Sequence, residues 1–168
     1  MYRFKTGKFE GRTMEHVMLR SAPRLYPVAE WARRELVNKP QLCALVDEFD
    51  RLRNLLRHTH VSVQCTKRAC KRRTRWMTFL TDWVEQYLRL GPRYWCDKHG
   101  PPRGEEDDEE SHKIPVNFDA LADWKDKRSR RTVHRGQLEA LGISKKPSQI
   151  TEDFARRFFE SLRTKNDE

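Results

Sequence analysis

The chain has 168 residues, of which 36% are hydrophobic and 36% are charged, and 35 Lys and Arg residues against 25 Asp and Glu residues give a formal net charge of +10. Its mean hydropathy is −0.96. No stretch approaches the roughly 18 consecutive apolar residues of a transmembrane helix, so the sequence predicts no membrane-spanning helix. Because an ordinary globular chain has about 45–50% apolar residues, we expect a small core, or a core with additional support.

Residues 1–38 are predicted to form a small module with a hairpin and helices. A strand-like stretch over residues 2–9 precedes a turn at Gly11, and Thr13 is placed to cap a helix. A second helical stretch follows. It begins near Pro23 and Pro27 and continues through the apolar residues Trp31 and Leu36. The prolines mark the start of this second helix.

Residues 39–100 are predicted to form a second, helical unit. After the break at Lys39 and Pro40, apolar residues recur at helical spacing up to His58, which predicts a strongly amphipathic helix. A short strand over residues 61–64 is followed by an aromatic stripe that predicts a helix over residues 76–88. A second short strand covers residues 93–96.

Three of the four cysteines of the chain fall into a metal-ligand pattern in this unit. Cys65 and Cys70 are separated by four residues, and after 25 further residues Cys96 is followed by His99 with two residues between them. Each pair lies on a short turn behind a strand-like segment, so each turn presents two ligand atoms, as a tetrahedral Zn²⁺ requires. Four protein ligands leave no open coordination position, which predicts a structural zinc rather than a catalytic one.

Other readings of these residues remain open. Cys65 and Cys70 would form a disulfide in an oxidising compartment, the thiols would pack singly in the core, or the site would be closed by His58, His60 or Cys43 in place of His99. No apolar run follows Met1, so we expect no secretory signal and a cytoplasmic protein, in which thiols stay reduced.

Residues 101–112 are predicted to be an acidic linker rich in Pro and Gly, with six consecutive acidic residues at positions 105–110. Residues 113–168 form a basic, helical C-terminal segment. One helix is predicted from about Asp119 through Ala140, and another begins after Thr151, which is a good N-cap residue. The chain as a whole is therefore predicted to be mainly α-helical with a few short β-strands, an α+β protein with an embedded structural zinc knuckle.

Two clusters of cations predict a binding surface for nucleic-acid phosphates. The first lies in and just after the first zinc turn, at Lys67, Arg68, Lys71, Arg72, Arg73 and Arg75. The second lies on the helix after the linker, at Lys125, Lys127, Arg128, Arg130, Arg131 and Arg135. Guanidinium groups match phosphate geometry, and each phosphate that they neutralise releases a counterion. The alternative is that each cluster is a solvated face.

Part of the chain resembles known modules. The pattern Phe4-x2-Gly7-Lys8-Phe9-x-Gly11-Arg12-Thr13-Met14-x2-Val17, followed by Pro23, resembles the small module at the C-terminal end of exodeoxyribonuclease X-like proteins, which also occurs in a related family of quorum-sensing-regulated virulence factors. The match covers residues 2–35. The resemblance implies an association with nucleic-acid enzymes but no catalysis, because the acidic catalytic motifs of the exonuclease are not recognisable. Residues 61–99 resemble a generic Cys3His zinc knuckle, which carries no function with it.

These features predict a non-catalytic, zinc-stabilised accessory protein that binds DNA or RNA, with no membrane association and with a protein partner as an additional possibility. One alternative is a protein-interaction adaptor of a phage or mobile-element system. A second is a metal-dependent nuclease, in which Asp47, Glu48 and Asp50 would bind Mg²⁺ with His58 and His60. No phosphate-binding Gly-rich loop and no serine-hydrolase elbow occurs, so the sequence gives no support for nucleotide hydrolysis or for serine chemistry.

Overall fold

The structure is a computed structural model that describes residues 1–59, 63–72, 74, 76–80, 93–99, 111–115 and 127–166. The regular elements of this part are four helices, α1 (Met14–Glu35), α2 (Cys43–His58), α3 (Lys127–Ala140) and α4 (Glu152–Asn166), and three strands, β1 (Trp76–Leu80), β2 (Arg93–Trp95) and β3 (Ser111–Pro115). Short 3-10 turns cover Gly7–Phe9, Pro40–Leu42 and Pro147–Gln149. The mainly helical fold with a few short strands is confirmed.

The chain divides into two compact units. Met1–Thr59 and Lys145–Glu168 form the first unit, and His60–Ser144 form the second. This division differs from the four consecutive segments that the sequence suggests, because the C-terminal helix α4 packs against α1 and α2 in the first unit. Contacts between distant parts of the chain leave no local sequence signal.

At the start of α1, the predicted N-cap is confirmed, but the predicted strand before it is not. The hydroxyl of Thr13 accepts a hydrogen bond from the backbone N–H of His16 at 3.4 Å, which satisfies one of the free donors of the first turn. Over residues 2–9, however, the prediction of a strand is wrong. Only Arg3 pairs, in a single antiparallel bridge with Thr13, and Gly7 adopts a φ of 81° that starts a 3-10 turn.

Helix α1 unites the two helical stretches predicted before residue 38. Ser21 has non-helical backbone angles (φ −141°, ψ 27°) inside it, and Pro23 lacks the N–H that would bond four residues back. Two helical segments therefore meet at a kink at Ser21, in agreement with the two predicted stretches.

The core of the first unit lies where α1 meets α2 and α4. The rings of Tyr26 and Phe49 meet edge to face with centroids 5.1 Å apart, and Leu52 and Phe159 are fully buried. The hydroxyl of Thr151 accepts from the backbone N–H of Phe154 at 3.2 Å, which confirms the predicted cap of α4.

The second unit contains an antiparallel sheet with the strand order β2-β1-β3. Trp76 pairs with Trp95, and Met77 pairs with Tyr94 on one side and Ile114 on the other. The predicted helix over residues 76–88 is therefore wrong at its start, where β1 stands, and its remainder lies outside the described residues. The short apolar run of β1 suits a buried strand as well as a helix, and pairing on both sides decides between them.

Two other predicted boundaries also change. Ser111 and His112, assigned to the linker, belong to strand β3; residues 101–110 and the predicted start of a helix at Asp119 lie outside the described residues. Helix α3 ends at Ala140, as predicted. The buried Tyr94 hydroxyl on β2 donates to the carbonyl of Gly136 at 2.9 Å, which joins α3 to the sheet within this unit. Burial raises the pKa of Tyr94, so its hydroxyl stays protonated.

Candidate metal centre

The first pair of candidate ligands lies on a tight turn. The backbone N–H of Cys70 donates to the carbonyl of Lys67 at 3.0 Å, which closes the loop between Cys65 and Cys70. Ala69 takes a left-handed conformation with φ 63°, which a non-glycine residue adopts at some cost. A second backbone hydrogen bond, from the N–H of Cys65 to the carbonyl of Arg72 at 3.4 Å, joins the two ends of this loop.

The second pair follows strand β2 directly. The backbone N–H of His99 donates to the carbonyl of Cys96 at 3.1 Å, so Cys96 and His99 stand on one turn. Two hydrogen bonds tie this segment to the first turn: the N–H of Thr66 donates to the carbonyl of Tyr94 at 2.7 Å, and the N–H of Tyr94 donates to the hydroxyl of Thr66 at 2.8 Å. The two turns are thereby held face to face.

The four predicted ligand atoms form one cluster, all within 4.8 Å of one another. Cys65 Sγ lies 3.8 Å from His99 Nδ1, Cys96 Sγ lies 3.6 Å from the same nitrogen, and Cys70 Sγ lies 3.9 Å from Cys96 Sγ. Two sulfurs bound at about 2.3 Å to one tetrahedral ion lie about 3.8 Å apart, and a sulfur and an imidazole nitrogen lie about 3.6 Å apart. The arrangement fits a tetrahedral Cys3His centre, and the four residues could hold a metal ion.

An apolar shell surrounds one side of the cluster. Cys65, Cys96 and Trp95 are buried together, and Cys70 and Trp76 pack against them. Cys70 and His99 are half-buried and border the solvent. A metal ion bound here would substitute for a larger hydrophobic core, since coordination would supply cohesion that the apolar area does not.

The pKa values of the thiols reflect their crowding. Burial acts to raise the pKa of Cys96, but the backbone N–H groups of His99 and Lys98 and the neighbouring sulfurs outweigh it, so its pKa is lowered. The backbone N–H of Arg72 favours the thiolate of Cys70, but burial and the nearby sulfurs of Cys96 and Cys65 raise its pKa overall. One thiolate is favoured at the expense of its neighbour, and a cation among the sulfurs would stabilise all three as thiolates.

The alternative ligand sets are not observed. All four cysteines are free thiols, so Cys65 and Cys70 form no disulfide. Cys43 is exposed on α2 in the first unit, and its thiol donates to the Asp47 carboxylate at 3.2 Å. His58 ends α2 in the first unit, and His60 lies outside the described residues.

The acidic residues that suggested a nuclease have other partners. Glu48 is buried and accepts two hydrogen bonds from Arg51, at 2.6 and 2.8 Å. Asp50 accepts from Arg33 at 2.6 Å. Among the described residues, only the Cys3His cluster groups three or more potential metal ligands.

The structure describes some, but not all, of the residues predicted to contact phosphates. In the first cluster Lys67, Arg68, Lys71 and Arg72 are exposed, whereas Arg73 and Arg75 lie outside the described residues. In the second cluster Arg131 and Arg135 are exposed one turn apart on α3. Lys127, Arg128 and Arg130 belong to the same helix, and Lys125 lies outside the described residues.

In the part of the chain that the structure describes, no helix has the length and apolar character needed to cross a membrane. Comparison of the chain with protein-family models, with curated proteins and with solved structures finds no match. The resemblance of residues 2–35 to the exodeoxyribonuclease X-like module therefore stays a prediction.

Proposed function

We propose that the Cys3His cluster binds a structural Zn²⁺ and that the turn bearing Cys65 and Cys70 is a contact surface for nucleic-acid phosphates. Three thiolates and one imidazole are ligands that Zn²⁺ prefers, at the distances described above. With four protein ligands the coordination shell is closed. Such an ion supports folding and leaves no position for an activated water.

The observation that carries the second half of the proposal is the placement of unpaired cations around this centre. Lys67 and Arg68 lie between the two cysteine ligands, and Lys71 and Arg72 follow immediately. All four side chains are exposed, and none has a carboxylate within ion-pair distance among the described residues. By contrast, Arg33, Arg51 and Arg156 in the first unit are all paired.

The charge of the metal centre does not account for all of these cations. Three thiolates outweigh the two positive charges of Zn²⁺, so a nearby cation or two balances the remaining negative charge. The exposed cluster holds more positive charge than that balance requires. A polyanion such as the backbone of DNA or RNA supplies the missing counter-charge, and its binding is driven by release of condensed counterions.

Arg131 and Arg135 on α3 extend the proposed contact within the same unit. Their one-turn spacing places both guanidinium groups on one helix face, where they contact successive phosphates. Contacts to phosphates carry no sequence information, so the proposed binding is independent of base sequence. We place the protein in the cytoplasm, since reduced thiols are needed for the metal.

The salt dependence of binding to generic DNA and RNA tests this proposal. The affinity of the wild-type protein should fall steeply with salt, and the variant Lys71→Gln/Arg72→Gln should bind more weakly with a slope lower by about 2, since each lost duplex contact removes about 0.9. The control is Lys5→Gln/Arg34→Gln, which removes two exposed cations of the first unit. It should leave the slope unchanged.

Three results would contradict the proposal. Absence of nucleic-acid binding by the metal-loaded protein would favour a protein-interaction adaptor instead. Equal losses in the two double variants would show that net charge alone matters. Cleavage of nucleic acid on addition of Mg²⁺ or Mn²⁺, lost in Asp47→Ala, would establish the nuclease.

A further inference from the structure

A cleft with a volume of about 190 Å³ opens on the first unit. Lys8 and Arg12 line it from the N-terminal loop, and His16, Arg20, Ser21 and Arg24 line it from α1. Sequence reasoning missed this site, although a signal was present: Arg12, His16, Arg20 and Arg24 recur every four residues. Within α1, the four-residue spacing places His16 and Arg20 on successive turns of one face, and Arg24 follows beyond the kink at Ser21.

Two features of the backbone bring the loop and the helix together. Gly7 and Gly11 both have positive φ, 81° and 75°, which L-residues with a side chain rarely adopt. The N–H of Phe4 donates to the carbonyl of Arg12, and the N–H of Gly11 donates to the carbonyl of Phe4, both at 2.9 Å. The loop is thus folded back so that Lys8 and Arg12 line the cleft opposite His16, Arg20 and Arg24 of α1.

The cations of the cleft lack carboxylate partners. Arg12, Arg24 and Lys8 are exposed and Arg20 is half-buried, and within the described ranges none of them forms an ion pair. Arg51 and Arg163 in the same unit both lie near Glu15, at 3.8 and 3.6 Å. Four unpaired cations in one small cleft repel one another, and a bound anion would relieve that repulsion.

His16 forms a buried, polar part of the cleft wall. It is 5% exposed, its Nε2 lies 3.0 Å from the carbonyl of Ile150, and its Nδ1 has no hydrogen-bond partner, with Glu152 Oε1 at 3.7 Å. Burial lowers the pKa of His16, and the nearby charges of Arg12 and Arg20 lower it further, against the opposing effects of Ile150 and Glu152. The ring is therefore neutral near pH 7, and the positive charge of the cleft comes from Lys8 and the arginines.

We propose that this cleft binds a dianionic phosphate group, that is, inorganic phosphate or the terminal phosphomonoester of a larger molecule. Arginines bind phosphate oxygens through paired N–H donors, and four cations supply more charge than the single negative charge of a phosphodiester needs. The volume is below the roughly 300–1,000 Å³ of pockets for drug-sized ligands, so it accommodates a phosphate group while the rest of the ligand stays outside. The inference is independent of the proposed zinc knuckle, because all its residues belong to the first unit.

Titration of the full-length protein with inorganic phosphate tests this site, with binding followed by the chemical shifts of His16 at constant ionic strength. We expect saturable binding that is at least about tenfold weaker in Arg20→Gln/Arg24→Gln, since each lost charged contact matters. Lys8→Gln/Arg12→Gln provides a second pair from the loop, in case the first alters α1. The control Lys5→Gln/Arg34→Gln should bind phosphate like the wild type.

Absence of saturable phosphate binding, or equal weakening in the control, would overturn the proposal. Two further probes identify the source of the phosphate. Tighter binding of a 5′-phosphorylated than of a 5′-hydroxyl oligonucleotide, lost in the cleft variants, would assign a nucleic-acid end; preference for a nucleoside monophosphate would assign a small ligand. The variant Lys71→Gln/Arg72→Gln should keep its phosphate binding, so failure of the cleft and failure of the knuckle proposal remain distinguishable.

Discussion

His99 shows what residue spacing can and cannot specify. The pattern of cysteines and one histidine predicts the four residues that the structure brings together, but not which ring nitrogen faces the sulfurs. The turn from Cys96 to His99 decides this, since it places Nδ1 at 3.6 Å from Cys96 Sγ. With Nδ1 toward the sulfurs of Cys65 and Cys96, Nε2 is left on the outer side of the ring.

Substitution of His99 tests its role as the fourth ligand. His99→Cys should retain one Zn²⁺ per chain, because sites with four cysteine ligands are also tetrahedral. Loss of a hydrogen-bonding group outside the coordination shell lowers metal affinity by up to about 100-fold. Because His99 is proposed to bind the ion directly, His99→Ala should lower the zinc affinity by more than that. Competition with a chromogenic chelator measures both affinities. Wild-type affinity in His99→Ala would show that another residue closes the site.

Glu48 predicts a pH dependence of stability in the first unit. Its hydrogen bonds from Arg51 lower its pKa against the effect of burial, so its contribution to stability is present above the unfolded-state pKa and is lost as the pH falls through the folded-state value. Glu48→Gln should therefore reduce the free energy of unfolding by about 1–3 kcal/mol at neutral pH, and by much less in acid. Denaturant unfolding at several pH values measures this difference.

The matched control is Glu160→Gln, which removes a carboxylate paired with Arg156 on the exposed face of α4. Its effect should stay below about 1 kcal/mol, since exposed ion pairs contribute little. A loss for Glu48→Gln that is the same at every pH would contradict the role assigned to its charge.

At the scale of elements, local signals predicted α2, β2, α4 and the end of α3. Each has a marker that acts over a few residues, such as the apolar periodicity that ends at His58 or the hydroxyl cap of Thr151. The strand β1 has no such local marker. Its residues, Trp-Met-Thr-Phe-Leu, are compatible with a helix or a strand, and only the pairing with β2 and β3 decides.

The link between α3 and the sheet gives a prediction at the same scale. Tyr94→Phe removes the hydroxyl that donates to the Gly136 carbonyl and leaves that acceptor without this partner. We expect a loss of about 1–3 kcal/mol in the stability of the second unit, with zinc still bound. Thermal unfolding of the zinc-loaded variant and its metal content provide the two measurements. Unchanged stability would show that this hydrogen bond does not hold α3.

At the scale of the whole molecule, the sequence predicted four consecutive segments, whereas the chain forms two units. In the first unit, α4 returns from the end of the chain to pack against α1 and α2, which also pack against each other. Composition can indicate a linker, but it does not indicate which helices pack together when they are far apart in the sequence. Two features thus offset the low hydrophobic content of the chain: α4 completes the core of the first unit, and the zinc ion that we propose would support the second.

This division predicts that metal removal affects the two units differently. A strong chelator should abolish hydrogen-exchange protection in β1 and β2, because structural zinc contributes on the order of 10 kcal/mol to folding of such sites. Protection in α1 and α2 should persist, since their core contains no ligand residue. Loss of protection in all helices at once would show that the units do not fold separately.

The most direct test of the account is X-ray absorption spectroscopy at the zinc edge on the purified protein, together with its metal stoichiometry. We predict one Zn²⁺ per chain with three sulfur ligands at about 2.3 Å and one nitrogen ligand at about 2.0 Å. A folded protein without metal, or a zinc shell containing oxygen ligands in place of these sulfurs, would contradict the central claim that Cys65, Cys70, Cys96 and His99 form a closed structural zinc site.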